Sequence, residues 1–112
     1  MKIAVVNDNN KKLKMWSEFI PEATMYSHPS FTFLAKAKDP KLNYDVLVLD
    51  RMFYGQDLLE DDTLKNFRES FPKVTLILSS ALHVESEKVP GLDYVIDQWP
   101  VSIQHLQELI GS

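Results

Sequence analysis

Four places in this chain gather side chains that can handle charge on oxygen: Asn7-Asp8-Asn9, Asp50, Ser79-Ser80 and Asp97-Gln98. Asp8 and Asp50 together could hold a hard divalent cation through oxygen ligands, with water in the remaining positions, as Mg2+ prefers. The cation would also offset the repulsion between two nearby carboxylates. Asp50 alone is instead a candidate for covalent phosphorylation. Cysteine is absent, which removes thiol catalysis, disulfides and thiolate metal sites. His28, His83 and His105 are spread widely along the chain and suggest no metal cluster.

Each of the four places follows an apolar run. Tyr44-Asp45-Val46-Leu47-Val48-Leu49-Asp50 holds the most apolar of them and reads as a strand covered on both faces, as in a parallel sheet flanked by helices. Further strands are expected at Ile3–Val6, Ala23–Tyr26, Val74–Leu78 and Tyr94–Ile96. Helical spacing of Leu13, Trp16, Phe19 and Ile20 predicts a helix over Lys11–Ile20, ended by Pro21. Leu64, Phe67 and Phe71 mark a helix over Thr63–Phe71. Ile103, Leu106, Leu109 and Ile110 mark one over Ser102–Ile110, with Gly111 past its end. Phe31–Lys38 could form a short helix capped by Ser30. Ala81–Pro90 is short and polar, so the fourth helix is expected to be short or missing.

Alternating strands and helices imply a parallel sheet with right-handed crossovers. The economical arrangement is a flavodoxin-like, doubly wound α/β fold with five strands in the order 2-1-3-4-5. In that order strands one, three and four are neighbours, and their polar ends converge on one crevice. Ligands sit in such crevices, beyond the carboxyl ends of the strands.

The 112 residues suit a single domain, 1–112. The net charge of −4 argues against a nucleic-acid clamp or adhesion to an anionic membrane. No apolar run is long enough to cross a bilayer, so a cytoplasmic protein is expected. The acidic run Asp57, Glu60, Asp61 and Asp62 reads as favourable charge near a helix amino terminus. Lys11, Lys12 and Lys14 read as a solvated helix face, Trp16 as core, and Trp99 as a packing or site-covering residue.

With these residues in place, the chain resembles the receiver domains of bacterial two-component response regulators, the CheY-like fold. That family opens with a strand ending in an acidic pair, matched here by Asn7-Asp8. Its phosphoacceptor aspartate follows an apolar strand that often begins Tyr-Asp, matched by Tyr44 to Asp50. Gly91-Leu92-Asp93 resembles the family's Gly-Ala-Asp before the fifth strand. The resemblance spans the whole chain. It implies that Asp50 accepts a phosphoryl group from a histidine kinase or phosphotransfer protein. It implies further that Asp8, Asp50 and the Met52 carbonyl bind Mg2+, and that Ser79, or alternatively Ser80, binds the phosphoryl group. Output would pass to a downstream protein partner, and homodimers are common in the family.

The departures are specific. Asn7 stands where the first acidic residue is expected. Gln98 stands where the family has a lysine, seven residues after the glycine, and a glutamine amide supplies no positive charge. Val95 takes the place of the switch aromatic, with Tyr94 one position earlier. These changes support an alternative, a phosphorylation-independent pseudo-receiver acting as a protein-binding module. An unrelated flavodoxin-like enzyme or nucleotide binder is disfavoured, because Asn7-Asp8-Asn9-Asn10 contains no glycine to form a phosphate loop.

Overall fold

The computed structural model describes residues 2–27, 42–50, 52–53, 56–57, 63–80, 91–96 and 103–111. Five strands form one sheet: β1 (Ile3–Asn7), β2 (Thr24–Ser27), β3 (Val46–Asp50), β6 (Thr75–Ser79) and β7 (Tyr94–Ile96). Their order is β2-β1-β3-β6-β7, and every pairing is parallel. Counted along the chain, this is the expected 2-1-3-4-5. Between β3 and β6 lie two short antiparallel strands, β4 (Met52–Phe53) and β5 (Gln56–Asp57). The sequence pattern does not announce them; two residues apiece are too few for a hydrophobic alternation to register. Three helices are described: α1 (Asn10–Phe19), α2 (Thr63–Ser70) and α3 (Ile103–Gly111).

The central strands β1, β3 and β6 bury both faces, so the period-two pattern separates two cores rather than core from solvent. Ala4, Val6, Leu47, Leu49, Leu76 and Leu78 point to one side, where Leu64 and Phe67 of α2 cover them with Val74 and Leu92. Ile3, Val5, Val46, Val48, Ile77 and Ile96 point to the other, beneath Leu13 and Trp16 of α1 and Leu106 of α3. Trp16 is 1% exposed, in keeping with its helical spacing.

Phe19 is a correction. Its spacing groups it with the inward face of α1, yet it is 49% exposed. Leu13, Trp16 and Ile20 are spaced three and four residues apart and close one stripe. Phe19 stands about 100° around the helix from Ile20, given ~3.6 residues per turn. Gly111 is the last residue of α3 rather than one past it, a difference of one position at a fraying end. The expected helix at Phe31–Lys38 and the segment Ala81–Pro90 lie outside the described residues. Among the described residues, no helix is long and apolar enough to cross a membrane.

Candidate functional site

The register of the sheet builds the site. Asp50 pairs with Ser79 across β3 and β6, and Asn7 pairs with Ser27 across β1 and β2. Val6 pairs with Leu49, so the next residues, Asn7 and Asp50, lie in the same row. Ser27, Asn7, Asp50 and Ser79 therefore cross the carboxyl ends of four adjacent strands. In-register neighbours of a parallel sheet present their side chains to one face. Asn7, Asp50 and Ser79 share strand parity with Val5, Val48 and Ile77, which places them on the α1 side. This parity singles out Ser79 as the neighbour of Asp50. Ser80 follows the strand, buried, with its backbone N–H donating to the Ile96 carbonyl at 2.9 Å.

Asn7 is 3% exposed, and both ends of its amide are engaged. Its Nδ2 donates to Asp50 Oδ2 at 3.2 Å, and its Oδ1 accepts from the Asn9 backbone N–H at 2.9 Å. Buried polar groups require such partners. A carboxylate at position 7 could not donate to Asp50 and would repel it. The amide is therefore a stabilising neighbour of Asp50 and not merely a ligand with its charge removed.

The turn from β1 to α1 brings in a cation. Asn9 is the helix cap, in extended backbone with φ −106° and ψ 113°. Its Oδ1 accepts from the backbone N–H groups of Lys11 at 2.9 Å and Lys12 at 3.2 Å, satisfying donors that a helix start leaves open. This cap sets the first turn of α1 over the strand ends. There Lys12 Nζ lies 3.4 Å from Asp50 Oδ2, with side-chain exposures of 32% and 13%. The sequence reading of Lys12 as part of a solvated face is corrected: its ammonium reaches the carboxylate crevice. Its place in the first turn after a polar strand end is shared with Lys11 and does not choose between them. Asp8, Asn9, Asn10, Lys11, Lys12 and Asp50 line one open depression of about 600 Å3.

The structure thus brings Asp8, Asp50 and Ser79 to one end of the sheet, as the strand-end pattern implies. Met52 opens β4 immediately beyond, while Asp97, Gln98 and Trp99 lie outside the described residues. The Mg2+ that the receiver resemblance implies can be tested against the donors. Among the described residues, no group of three or more His, Asp or Glu side chains could hold a metal ion. Asp50 Oδ2 already faces an amide N–H and an ammonium, both of which occupy lone pairs that a cation would need. In this arrangement a divalent cation reaches Asp50 Oδ2 only by displacing the Lys12 ammonium.

Comparison with solved structures accords with this topology. The fold is that of a response-regulator receiver domain. A CheY-like receiver domain from Methylobacillus flagellatus matches with a TM-score of 0.69 at 16% identity, covering 99% of this chain and 96% of that one. The chemotaxis response regulator CheY4 of Vibrio cholerae matches at 0.67 and 17% identity, covering 96% and 97%. The response regulator DrrB of Thermotoga maritima matches at 0.62 and 25% identity, covering 96% of this chain and 49% of that one. No protein-family model matches the chain, and no curated protein does.

Proposed function

We propose that this chain is a receiver module of a two-component or phosphorelay pathway, with Asp50 as its phosphoacceptor. The observation that carries this reading is the row Asn7, Asp50 and Ser79 across adjacent strand ends, in a fold shared with response-regulator receivers. In the step proposed, a carboxylate oxygen of Asp50 forms a P–O bond as the bond from phosphorus to its donor breaks. With a phosphohistidine donor, on a histidine kinase or phosphotransfer protein, the leaving imidazole nitrogen keeps the bonding pair and takes up a proton. Ser79 is placed to hydrogen-bond the transferred group. Lys12, already at Asp50, would remain near the added negative charge. The protein accepts the group rather than turning over a substrate. Its output is contact with a downstream protein, passed on as a population shift between two conformations.

Incubation with acetyl phosphate and Mg2+, read by intact mass, tests the step. One phosphoryl group added to the wild type and none to Asp50→Asn is the expected result. No adduct on the wild type would overturn it.

One observation favours a second reading, a phosphorylation-independent binding module. Asp50 Oδ2 already accepts from Asn7 and Lys12 within the chain, so its charge has a structural use without a phosphoryl group. On this reading the acetyl phosphate experiment yields no adduct, and Asp50→Asn leaves partner binding unchanged.

A further inference from the structure

We infer that Lys12 is a resident counter-ion of the Asp50 crevice, competing with divalent cations for the carboxylate. The inference rests on reading this crevice as the functional site, but not on Asp50 being phosphorylated.

Three observations carry it. The ammonium of Lys12 approaches Asp50 Oδ2 at 3.4 Å, and the Asn7 amide donates to the same oxygen at 3.2 Å. The crevice therefore supplies one positive charge and one further donor to one carboxylate oxygen from its own side chains. Second, Lys11 and Lys12 both stand in the first turn of α1, which contains no acidic residue. Cations at a helix amino terminus oppose the helix dipole. A local rule broken in this way is expected where function or a compensating partner requires it, and Asp50 is such a partner. Third, the Lys12 side chain keeps 32% of its surface exposed, and it lines the same open depression as Asp8 and Asp50. A flexible four-carbon stem in that position can withdraw its head toward solvent without repacking the core.

The consequence is a choice between two cations. With Lys12 in place, a divalent ion approaching Asp50 meets an ammonium at contact distance and must displace it. With Lys12 neutralised, that opposition disappears. The charge at Lys12 should therefore set metal affinity, and the shape of its side chain should not.

Mn2+ titration followed by the electron paramagnetic resonance signal of the free ion measures this directly. The wild type, Lys12→Met, Lys12→Arg and the double variant Lys12→Met/Asp50→Asn are compared, each checked for native helix content by circular dichroism. Lys12→Met should bind Mn2+ about two- to threefold more tightly than the wild type, the scale of one partly screened ion pair. Lys12→Arg should stay near the wild type, and the double variant should lose the gain. Equal affinity in the wild type and Lys12→Met overturns the inference, as does undetectable binding in both. A gain that survives Asp50→Asn also overturns it, since the ion then sits elsewhere. The acetyl phosphate experiment decides separately whether Asp50 is a phosphoacceptor: a missing adduct leaves the metal competition intact, and equal metal affinities leave the adduct intact.

Discussion

The two ends of the central sheet use charge in opposite ways. At the amino ends of β6 and β7, Arg68 directs its guanidinium to the backbone. Nη1 donates to the Val74 carbonyl at 2.6 Å and also reaches those of Phe71 and Pro72. Nε and Nη2 donate to the Gly91 carbonyl, and Nη2 pairs with Asp93 Oδ2 at 2.5 Å. Asp93 Oδ2 in turn accepts from the Leu76 backbone N–H. Asp45, at the amino end of β3, likewise accepts from the backbone N–H of Lys2 at 2.7 Å. At the carboxyl ends, Asp50 Oδ2 accepts instead from two side chains, at 3.2 and 3.4 Å. Carboxylates at one end fasten the backbone. The carboxylate at the other is held by a buried amide and a partly exposed ammonium, beside an open depression. A saturated network rigidifies, whereas a loosely held charge retains capacity for a ligand.

On this contrast, the amino end should be costly to damage. Arg68→Ala leaves the carbonyls of Val74 and Gly91 and the Asp93 carboxylate short of a partner. It should lower stability by about 2 kcal/mol, read as a shifted urea midpoint. A loss near zero would break the comparison at its stronger side. At the carboxyl end, Asn7→Asp places a second carboxylate against Asp50 and removes a donor. A loss of about 1 kcal/mol is expected in chelator. Millimolar Mg2+ should reverse part of it, because the added carboxylate joins Asp8 and Asp50 as a third oxygen donor at the crevice. An Asn7→Asp protein as stable as the wild type in chelator would mean that Asn7 is not positioned against Asp50 by charge.

Gly91 sharpens the same contrast. It has φ +85°, and a Cβ there would lie 3.3 Å from the Arg68 Cβ. Gly91→Ala should cost about 1 kcal/mol through left-handed strain, seen again in the urea midpoint. The smallest effect belongs to Lys12→Met. Its partly exposed ion pair should contribute no more than about 0.5 kcal/mol to folding, so equilibrium unfolding should barely change while Mn2+ affinity does. A large stability loss from Lys12→Met would place this lysine with Arg68, among the fasteners.

Much of this arrangement is legible in the residues. The apolar runs locate all five strands of the parallel sheet to within a residue or so, because a buried strand leaves little room for polar side chains. Asp50, Asp8 and Ser79 are readable as strand-end polar residues, since each stands at or just past the end of such a run. Lys12 is not readable as a site residue. Its contact with Asp50 joins positions 38 apart. Lys11, Lys12 and Lys14 crowd one short stretch of helix, and nothing in their spacing says which of them overhangs a strand end. Arg68 is equally silent, since its partners are mostly backbone carbonyls, which carry no sequence signature. Phe19 misleads because apolar character suggests burial, whereas its angle on the helix decides the matter.

By itself, the sequence determined the five strands of the parallel sheet and the three described helices, the class of fold and the position of a carboxylate at the end of a buried strand. Local periodicity and turn chemistry act over a few residues, so they can be read in order along the chain. Only the tertiary structure decided what surrounds that carboxylate. Parallel register set Ser79 beside Asp50, and the capped first turn of α1 delivered Lys12. Those neighbours come from distant parts of the chain, brought within hydrogen-bonding range because packing two cores against one sheet leaves the strand ends and the first turn of α1 nowhere else to meet.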